Sequence, residues 1–412
     1  MAVFSVARAL ADLRGGVCGE FLYCRCLMAY RILILNERDL ANPLAGGAEV
    51  HTFKLFGELA RRGHAVTQLA ATFSGCASEE TIDGIRIRRL CNRYLYYGVA
   101  PFAARRAALG GGYDVVIDVL AKLPFMSPWF APIPCLAVVH HLFGATAFRQ
   151  VPFPVAAGTW LSERLIPPAY RDTPAVAVSP STRDDLIARG LSPERIRVIP
   201  NGVDHDLYRP TAVGEDPDPL IVWLGRVEPY KNLDQLLEAL PEIRSRVPGT
   251  RLAVVGSGSG LDAARKLSRR LGLEDCVEFV GFVESQRKVE FLCRAHVMVN
   301  TSEKEGWGLT VIEGNACGTP TVASNVPGLR DSVVDGETGL LVPYQDREAL
   351  VGAVTRILKD SALRETMSQR CLAWAARFDW CEVADDFERV LGAVTGGGDI
   401  GELDLASEWL SS

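Results

Sequence analysis

Arg31-Ile-Leu-Ile-Leu-Asn36 is a short apolar run that ends at a turn region, and Ala65-Val-Thr-Gln-Leu-Ala70 is a second such run. Gly46-Gly47 and a helical stretch from about Ala48 to Arg62 lie between them. Short apolar runs of this kind are typical of strands buried on both faces of a parallel sheet. The order of strand, helix and strand therefore predicts a doubly wound α/β fold.

The same alternation continues along the chain and restarts after a polar, proline-containing stretch at 210–219. The further strands that we predict are 113–118, 135–140, 175–179, 220–224, 251–255, 277–280 and 297–300. We therefore expect two Rossmann-like domains that face a central cleft, one at 30–208 and one at 219–378. An extension at 1–29 is expected to be poorly ordered, and 396–412 is expected to be a frayed tail.

One helix in the first half has an identifiable start signal. Ser181 or Thr182 is expected to cap a helix that begins at Arg183, because a hydroxyl side chain can accept a hydrogen bond from a first-turn amide.

Composition excludes several classes of protein. The 412 residues carry a net charge of −6, which argues against general nucleic-acid binding. The 11 cysteines include no C-x-x-C pair, so the sequence indicates neither a zinc site nor a redox motif, and a cytoplasmic location is expected. Asp216-Pro-Asp218 has the acid-x-acid form of some metal sites, but its proline-rich context favours a surface loop, and we predict no metal.

The segment Glu305-Gly-Trp-Gly-Leu-Thr-Val-Ile-Glu313 holds two glutamates on either side of two glycines, just before a helix signal. Glycines leave backbone amides open to a ligand, and a helix start favours anions such as phosphate. The glutamates could accept hydrogen bonds from sugar hydroxyls. Each glutamate also completes a capping box, with Ser302 or Thr310, so a purely structural role is the alternative.

Residues 300–343 closely resemble the C-terminal signature of the retaining nucleotide-sugar glycosyltransferases of family four, which have the GT-B fold. Gly225-Arg226 and Lys231-Asn232 are similar to the family's G-R-x-x-x-x-K-N motif. The resemblance implies metal-independent sugar transfer to a hydroxyl acceptor with retained configuration, without a cofactor. It also implies that a last helix, at 379–395, packs back onto the first domain. Trp307 and Gly314-Asn315 depart from the residues usual in the family.

The resemblance also implies a role for each candidate residue. Arg226 and Lys231 would hold the diphosphate, Glu313 the ribose and Glu305 the donor sugar. His140 would support the donor sugar at the end of a strand, with His141 as the alternative. The remaining donor-binding candidates are Gly46, Gly47, Gly225, Gly256, Gly281, Phe282, Gly306, Trp307, Gly308, Leu309 and Thr310. Without the resemblance, Arg226 and Lys231 could be unrelated cations of a solvated loop, and His140 could be a structural histidine at the end of a strand.

Residues 84–112 contain six arginines and no acidic residue, with aromatic residues interleaved. One interpretation is a solvated face with snorkelling arginines. The other is an acceptor-side patch that contacts the inner face of a membrane.

Two other functional classes stay open at this stage. One is a GT-B epimerase or phosphorylase, and the other is a non-catalytic protein that binds sugar nucleotides.

Overall fold

The computed structural model describes residues 29–121, 123–144, 148 and 153–407. The extension expected at 1–29 lies outside these residues except for Ala29. The described residues form two mainly parallel sheets with helices on their faces, which confirms the predicted α/β class and the GT-B arrangement.

The first sheet has eight strands in the order β3-β4-β2-β1-β5-β6-β7-β8. Its strands are β1 (Arg31–Leu35), β2 (Ala65–Thr72), β3 (Glu79–Ile82), β4 (Ile85–Asn92), β5 (Val115–Leu120), β6 (Cys135–Val139), β7 (Ala175–Ala177) and β8 (Ile196–Val198). The β3–β4 pair is antiparallel and the other pairs are parallel. Its helices are α1 (Gly47–Arg61), α2 (Arg93–Leu109), α3 (Phe153–Glu163), α4 (Ile166–Tyr170) and α5 (Pro180–Ala188). This sheet and its helices are called the first lobe.

The second sheet has six parallel strands in the order β11-β10-β9-β12-β13-β14. They are β9 (Leu220–Leu224), β10 (Arg251–Val255), β11 (Val277–Gly281), β12 (Val297–Asn300), β13 (Thr321–Ser324) and β14 (Gly339–Val342). Its helices are α6 (Leu233–Arg246), α7 (Leu261–Arg270), α8 (Ser285–Arg294), α9 (Leu309–Ala316), α10 (Leu329–Ser332), α11 (Arg347–Lys359) and α12 (Ser361–Ala375). This sheet and its helices are called the second lobe.

Strand β1 shows why these runs become central strands. Ile32 and Ile34 pack in the core on one face of the first sheet, and Leu33 and Leu35 pack on the other. All four side chains are fully buried. Burial of each such side chain contributes about 1.5–3 kcal/mol relative to exposure, so the run is stable only between two layers of helices.

The cap predicted for α5 is wrong by two to three residues. The helix begins at Pro180, and the side chain of Ser179 accepts a hydrogen bond from the amide of Thr182. Proline is favoured at the first helical position because its fixed φ suits a helix and its missing N–H is not needed there. Ser179, two residues after the end of β7, is therefore the residue that caps α5.

The last helix, α13 (Trp380–Gly396), contributes to the core of the first lobe. Phe387 packs edge-on against Phe56 of α1 at 5.3 Å between ring centroids. The segment after it does not fray as expected. Ile400 and Leu405 are buried in the same core, and the Ser407 hydroxyl donates to the carbonyl of Val198 at 2.9 Å. These apolar side chains hold the segment through Ser407, and the rest of the tail lies outside the described residues.

Candidate active site

A cavity of about 970 Å³ opens between the two lobes. Its walls come from the loops after β1, β5 and β6 of the first lobe and from the loops after β9 and β12 of the second. In each sheet the strand order reverses at the central strands β1 and β9, and such a switch point leaves a crevice at the carboxyl ends of the strands. The position of the cavity therefore follows from the strand order of the two sheets.

The loop after β9 places two cations in this cavity. Gly225 takes a φ of 152°, which lets the chain turn sharply out of the strand. Arg226 then extends across the gap, where a Cβ atom at Gly46 would stand 3.1 Å from its guanidinium Nη2. Among the described residues, this guanidinium has neither a hydrogen-bond acceptor nor a carboxylate partner. Arg226 is thus an available cation that touches the opposite lobe.

Lys231 and Glu305 form a charged pair in the same cavity. The Lys231 ammonium donates to the Glu305 carboxylate, which also accepts from the Ser302 hydroxyl at 2.7 Å. Burial alone would raise the pKa of Glu305, but Lys231 and Ser302 outweigh it and lower that pKa. Burial likewise opposes the charge on Lys231, and Glu305 nevertheless raises the pKa of the ammonium. Both groups are therefore charged at neutral pH.

The loop between Glu305 and α9 presents backbone rather than side chains to the cavity. A Cβ atom at Gly306 would lie 2.6 Å from the His140 carbonyl oxygen, so the two lobes meet here at backbone distance. Gly308 has a φ of 88° and caps α9, whose first amides belong to Leu309 and Thr310. A helix start leaves these amides without intrahelical acceptors. They line the cavity and can bind an anion.

Trp307 combines a backbone in the loop with a side chain in the core. Its ring is 2% exposed and packs against Phe378 at 5.2 Å. The indole therefore anchors the loop in the core, while the backbone of Gly306 and Gly308 on either side of it faces the cavity.

Glu313 lies on α9 and is held by a residue that sequence reasoning missed. Its Oε1 accepts from the Lys288 ammonium at 2.9 Å, and its buried Oε2 has no hydrogen bond of normal length among the described residues, although the Tyr208 hydroxyl also interacts with the carboxylate. The same ammonium lies 4.8 Å from the centre of the Tyr208 ring. Lys288 is on α8, and a lysine on an amphipathic helix gives no signal in sequence, since it resembles any solvated charge.

His140 ends β6 and lines the cavity. Its ring is 4% exposed and meets His51 of α1 edge-on at 4.8 Å, and His51 in turn lies 5.9 Å from the ring of Trp380. Burial lowers the pKa of His140 well below 6.5 and that of His51 to about 3. Burial also lowers the pKa of His141 to about 4, with help from Lys304. All three rings are neutral at neutral pH, and His140 Nε2 has no partner among the described atoms.

The glycine loop after β1 is held by its own glutamate. Glu49 accepts a hydrogen bond from the Gly46 amide at 2.6 Å and closes the first turn of α1, which starts at Gly47. Glu49 therefore orients the loop, and Gly46 and Gly47 line the cavity.

Three predicted donor-binding residues do not line the cavity. They are Gly256, Gly281 and Phe282. A Cβ atom at Gly256 would fall 1.8 Å from the carbonyl oxygen of Gly225, so this glycine is required for close loop packing. Phe282 is 80% exposed beside it. Their contact with a base stays a prediction.

Asp216 is not the surface residue that its proline-rich context suggested. Its carboxylate is buried and paired with Arg251 and Arg294, which lower its pKa against the effect of burial. Among the described residues no cluster of three or more potential metal ligands is found.

The protein thus consists of two Rossmann-like lobes, and the cleft between them has cations and helix amides that can bind a phosphate. The sequence profile "Glycosyltransferase Family 4" matches residues 45–207, and "Glycosyl transferases group 1" matches 207–373. The chain belongs to glycosyltransferase family four, a family of retaining nucleotide-sugar transferases with the GT-B fold.

Curated relatives carry the name D-inositol 3-phosphate glycosyltransferase. The protein from Acidothermus cellulolyticus is 38% identical over 46% of this chain and 46% of its own length, so that match spans about half of each protein. The protein from Rhodococcus erythropolis is 35% identical over 86% of this chain and 88% of its own.

Solved structures show the same fold. Sucrose-phosphate synthase from Thermosynechococcus elongatus superposes with a TM-score of 0.76 at 24% identity, over 90% of this chain and 100% of that one. Anabaena HepE, solved with UDP and glucose, has a TM-score of 0.71 at 19% identity, over 88% of this chain and 100% of that one.

Proposed function

We propose that this protein transfers a glycosyl unit from a nucleoside-diphosphate sugar to a hydroxyl acceptor and retains the anomeric configuration. The observation that supports this most directly is the meeting of Arg226, Lys231 and Glu305 at the cleft-facing strand ends. A guanidinium without an ion pair among the described residues, a buried ammonium and open helix amides together suit a diphosphate. UDP is the first nucleotide to test, because Anabaena HepE was solved with it.

The proposed reaction follows from where charge develops. The bond between the anomeric carbon and the β-phosphate oxygen breaks, the acceptor oxygen bonds to the anomeric carbon on the same face, and the acceptor proton passes to the leaving phosphate. Arg226, Lys231 and the amides of Leu309 and Thr310 stabilise the phosphate as it becomes more negative. The step assigns no nucleophile to the protein. His140 Nε2, which has no hydrogen-bond partner in the part of the chain that the structure describes, is placed to bond a donor-sugar hydroxyl.

The first test removes the Arg226 guanidinium. Arg226→Ala should lower turnover by about 100-fold or more, because one preorganised group aimed at developing charge is typically worth that much. Since Arg226 is exposed and its guanidinium has no ion pair among the described residues, the melting temperature should stay close to wild type. Arg270→Ala, an exposed residue of α7, is the matched control.

The charged pair gives a second, independent arm. Lys231→Ala and Glu305→Ala should each lower turnover by orders of magnitude, with melting curves recorded because either change leaves a buried charge unpaired. Release of nucleoside diphosphate from UDP-, GDP- and ADP-sugars should be measured with and without acceptors, including D-inositol 3-phosphate. Near-normal turnover in Arg226→Ala and in both pair variants would contradict the assignment. Conversion of donor without acceptor would indicate an epimerase.

We also propose that the first lobe contacts an anionic membrane surface through α2. Three arginines of the segment 84–112 are engaged within the fold, which leaves α2 as the candidate contact. Arg86 and Arg88 pair with Glu79, and Arg89 is buried against Asp39 and Glu80. The outer side of α2 carries four exposed apolar residues, Leu95, Val99, Phe102 and Leu109. Their spacing places them on one stripe of the helix, next to the exposed arginines Arg105 and Arg106.

Flotation with vesicles tests this contact. The wild type should float with phosphatidylglycerol-containing vesicles at low salt, and Leu95→Ser/Phe102→Ser should not. Val213→Ser, which changes an exposed apolar residue outside α2, should float as the wild type does. Binding that is absent, or unaffected by the α2 changes, would remove the proposal. Among the described residues, no helix is long and apolar enough to cross a bilayer.

A further inference from the structure

We infer that Lys288 is a positioning residue of the donor site, which holds Glu313 so that one carboxylate oxygen is free for a ribose hydroxyl. This inference rests on the proposed function and adds to it a residue from a helix outside the recognised motifs. It names the ribose diol of the nucleotide as the group that Lys288 serves.

The geometry separates the two oxygens of Glu313. Oε1 accepts from the Lys288 ammonium at 2.9 Å, whereas the buried Oε2 has no hydrogen bond of normal length among the described residues, and the Tyr208 hydroxyl is a nearby group that also interacts with this carboxylate. A buried acceptor without a partner is costly, so a native site keeps one where a ligand completes it. Glu313, Lys288 and Tyr208 all line the cavity.

The packing fixes the ammonium in place. Lys288 lies on α8 and its side chain is 20% exposed, while the Glu313 side chain on α9 is 8% exposed. The ammonium also lies over the ring of Tyr208, 4.8 Å from its centre, and this cation–π contact helps to hold it in place. Two helices and the segment after β8 thus converge on one carboxylate.

The charges distinguish Lys288 from the diphosphate cations. Lys231 is engaged by Glu305, and Arg226 faces Gly46. Lys288 instead shares its charge with Glu313, so the pair is neutral overall and suits a neutral diol better than a phosphate. A rigid carboxylate recognises a hydroxyl at lower entropic cost than a mobile one.

The experiment measures nucleotide affinity by calorimetry with UDP, GDP and ADP. The tightest of the three is then compared with its own 2′,3′-dideoxy form. The wild type should prefer the ribonucleotide by about 10-fold or more, since a hydrogen bond to a charged group contributes that much. Lys288→Met should bind the ribonucleotide about 10-fold more weakly, and its preference over the dideoxy form should fall below about 3-fold.

Companion variants separate positioning from a general loss of charge. Lys288→Arg keeps a donor and should retain the preference for ribose. Lys288→Met/Glu313→Gln should bind no more weakly than Glu313→Gln alone, because Lys288 acts through Glu313. Lys266→Met, an exposed lysine of α7, should behave as the wild type.

Each contrary outcome has a distinct meaning. An equal loss of affinity for the ribose and dideoxy forms in Lys288→Met, with an unchanged melting curve, would overturn the inference and leave the proposed function intact. If the wild type binds none of the three nucleotides, the proposed function fails, and the inference falls with it.

Discussion

At the scale of single residues, the cleft combines charged pairs with neutral histidines. His51 and His140 are buried side by side, and desolvation keeps both rings uncharged. A neutral imidazole can accept or donate a hydrogen bond to a sugar hydroxyl without adding a positive charge close to Arg226. His140 therefore adds no charge to the wall of the cavity that it lines.

The buried histidines predict a pH dependence of stability. An unfolded histidine titrates near 6.5, whereas His51 in the folded chain titrates near 3. As the pH falls below 6.5, the unfolded chain gains a proton that the folded chain does not, so the free energy of unfolding decreases. His51 alone should account for a loss of about 2 kcal/mol between pH 7 and pH 5.

His51→Phe should remove this part of the pH dependence in urea unfolding at pH 7, 6 and 5. Leu59→Ala is the control, because it weakens the same core at every pH without removing a titrating group. The same slope in wild type and His51→Phe would contradict the prediction.

Site residues that belong to a sequence motif could be predicted. Residues that come together only in the folded chain could not. The spacing of Arg226, Lys231, Glu305 and Glu313 matches a known signature, and the structure brings all four to the cavity. Lys288 lies 25 positions before its partner Glu313, and His51 lies 89 positions before His140. No periodicity or spacing reveals such a contact, because it depends on how helices dock.

At the scale of elements, nine strands of the described residues were predicted, and eight of these are apolar runs that are largely buried. The partly buried β11 was also predicted, whereas β3, β4, β8, β13 and β14 were not. The predicted and observed bounds of these nine strands differ by two residues or fewer, as in 135–140 against Cys135–Val139. The errors come from local chemistry. A proline start was missed at α5, and a glycine-rich stretch concealed the apolar anchors Ile400 and Leu405.

The docking of α13 depends on a glycine in another segment. A Cβ atom at Gly202 would lie 2.7 Å from the Trp380 ring and 3.0 Å from the Trp380 amide nitrogen. Gly202→Ala should therefore displace the start of α13 and lower the free energy of unfolding by about 1–3 kcal/mol, as overpacking does.

Chemical denaturation followed by circular dichroism would measure this loss. Gly396→Ala is the matched control, because a Cβ atom there meets nothing within 4 Å. Equal stability of Gly202→Ala and the wild type would show that α13 can shift without cost.

At the scale of the whole molecule, polar contacts join the two lobes around the cavity, beside the apolar packing of Val178 in a cluster of second-lobe residues. The Lys304 ammonium donates to the Leu142 carbonyl at 2.7 Å, and the Ser181 hydroxyl donates to Asp331 at 3.0 Å. The first contact joins a loop of each lobe, and the second joins the first turn of α5 to α10. Polar contacts of this kind can open and re-form, and they define a closed arrangement in which His140 faces the donor loop.

Gly306 is the position where closure is most sensitive to size. A Cβ atom there would lie 2.6 Å from the His140 carbonyl oxygen and 3.6 Å from Val178, both of the first lobe. Gly306→Ala should therefore hold the lobes slightly apart, and a misplacement of about 1 Å can lower turnover by about 100-fold. Affinity for the nucleoside diphosphate should change by less than about 3-fold, because most of the proposed contacts belong to the second lobe.

Gly352→Ala, which has open space around its Cβ position in α11, should leave turnover and affinity unchanged. A parallel fall in turnover and nucleotide affinity in Gly306→Ala would indicate a damaged donor loop instead of impaired closure. Small-angle scattering of the nucleotide complex, with a larger radius of gyration expected for Gly306→Ala, would distinguish the two.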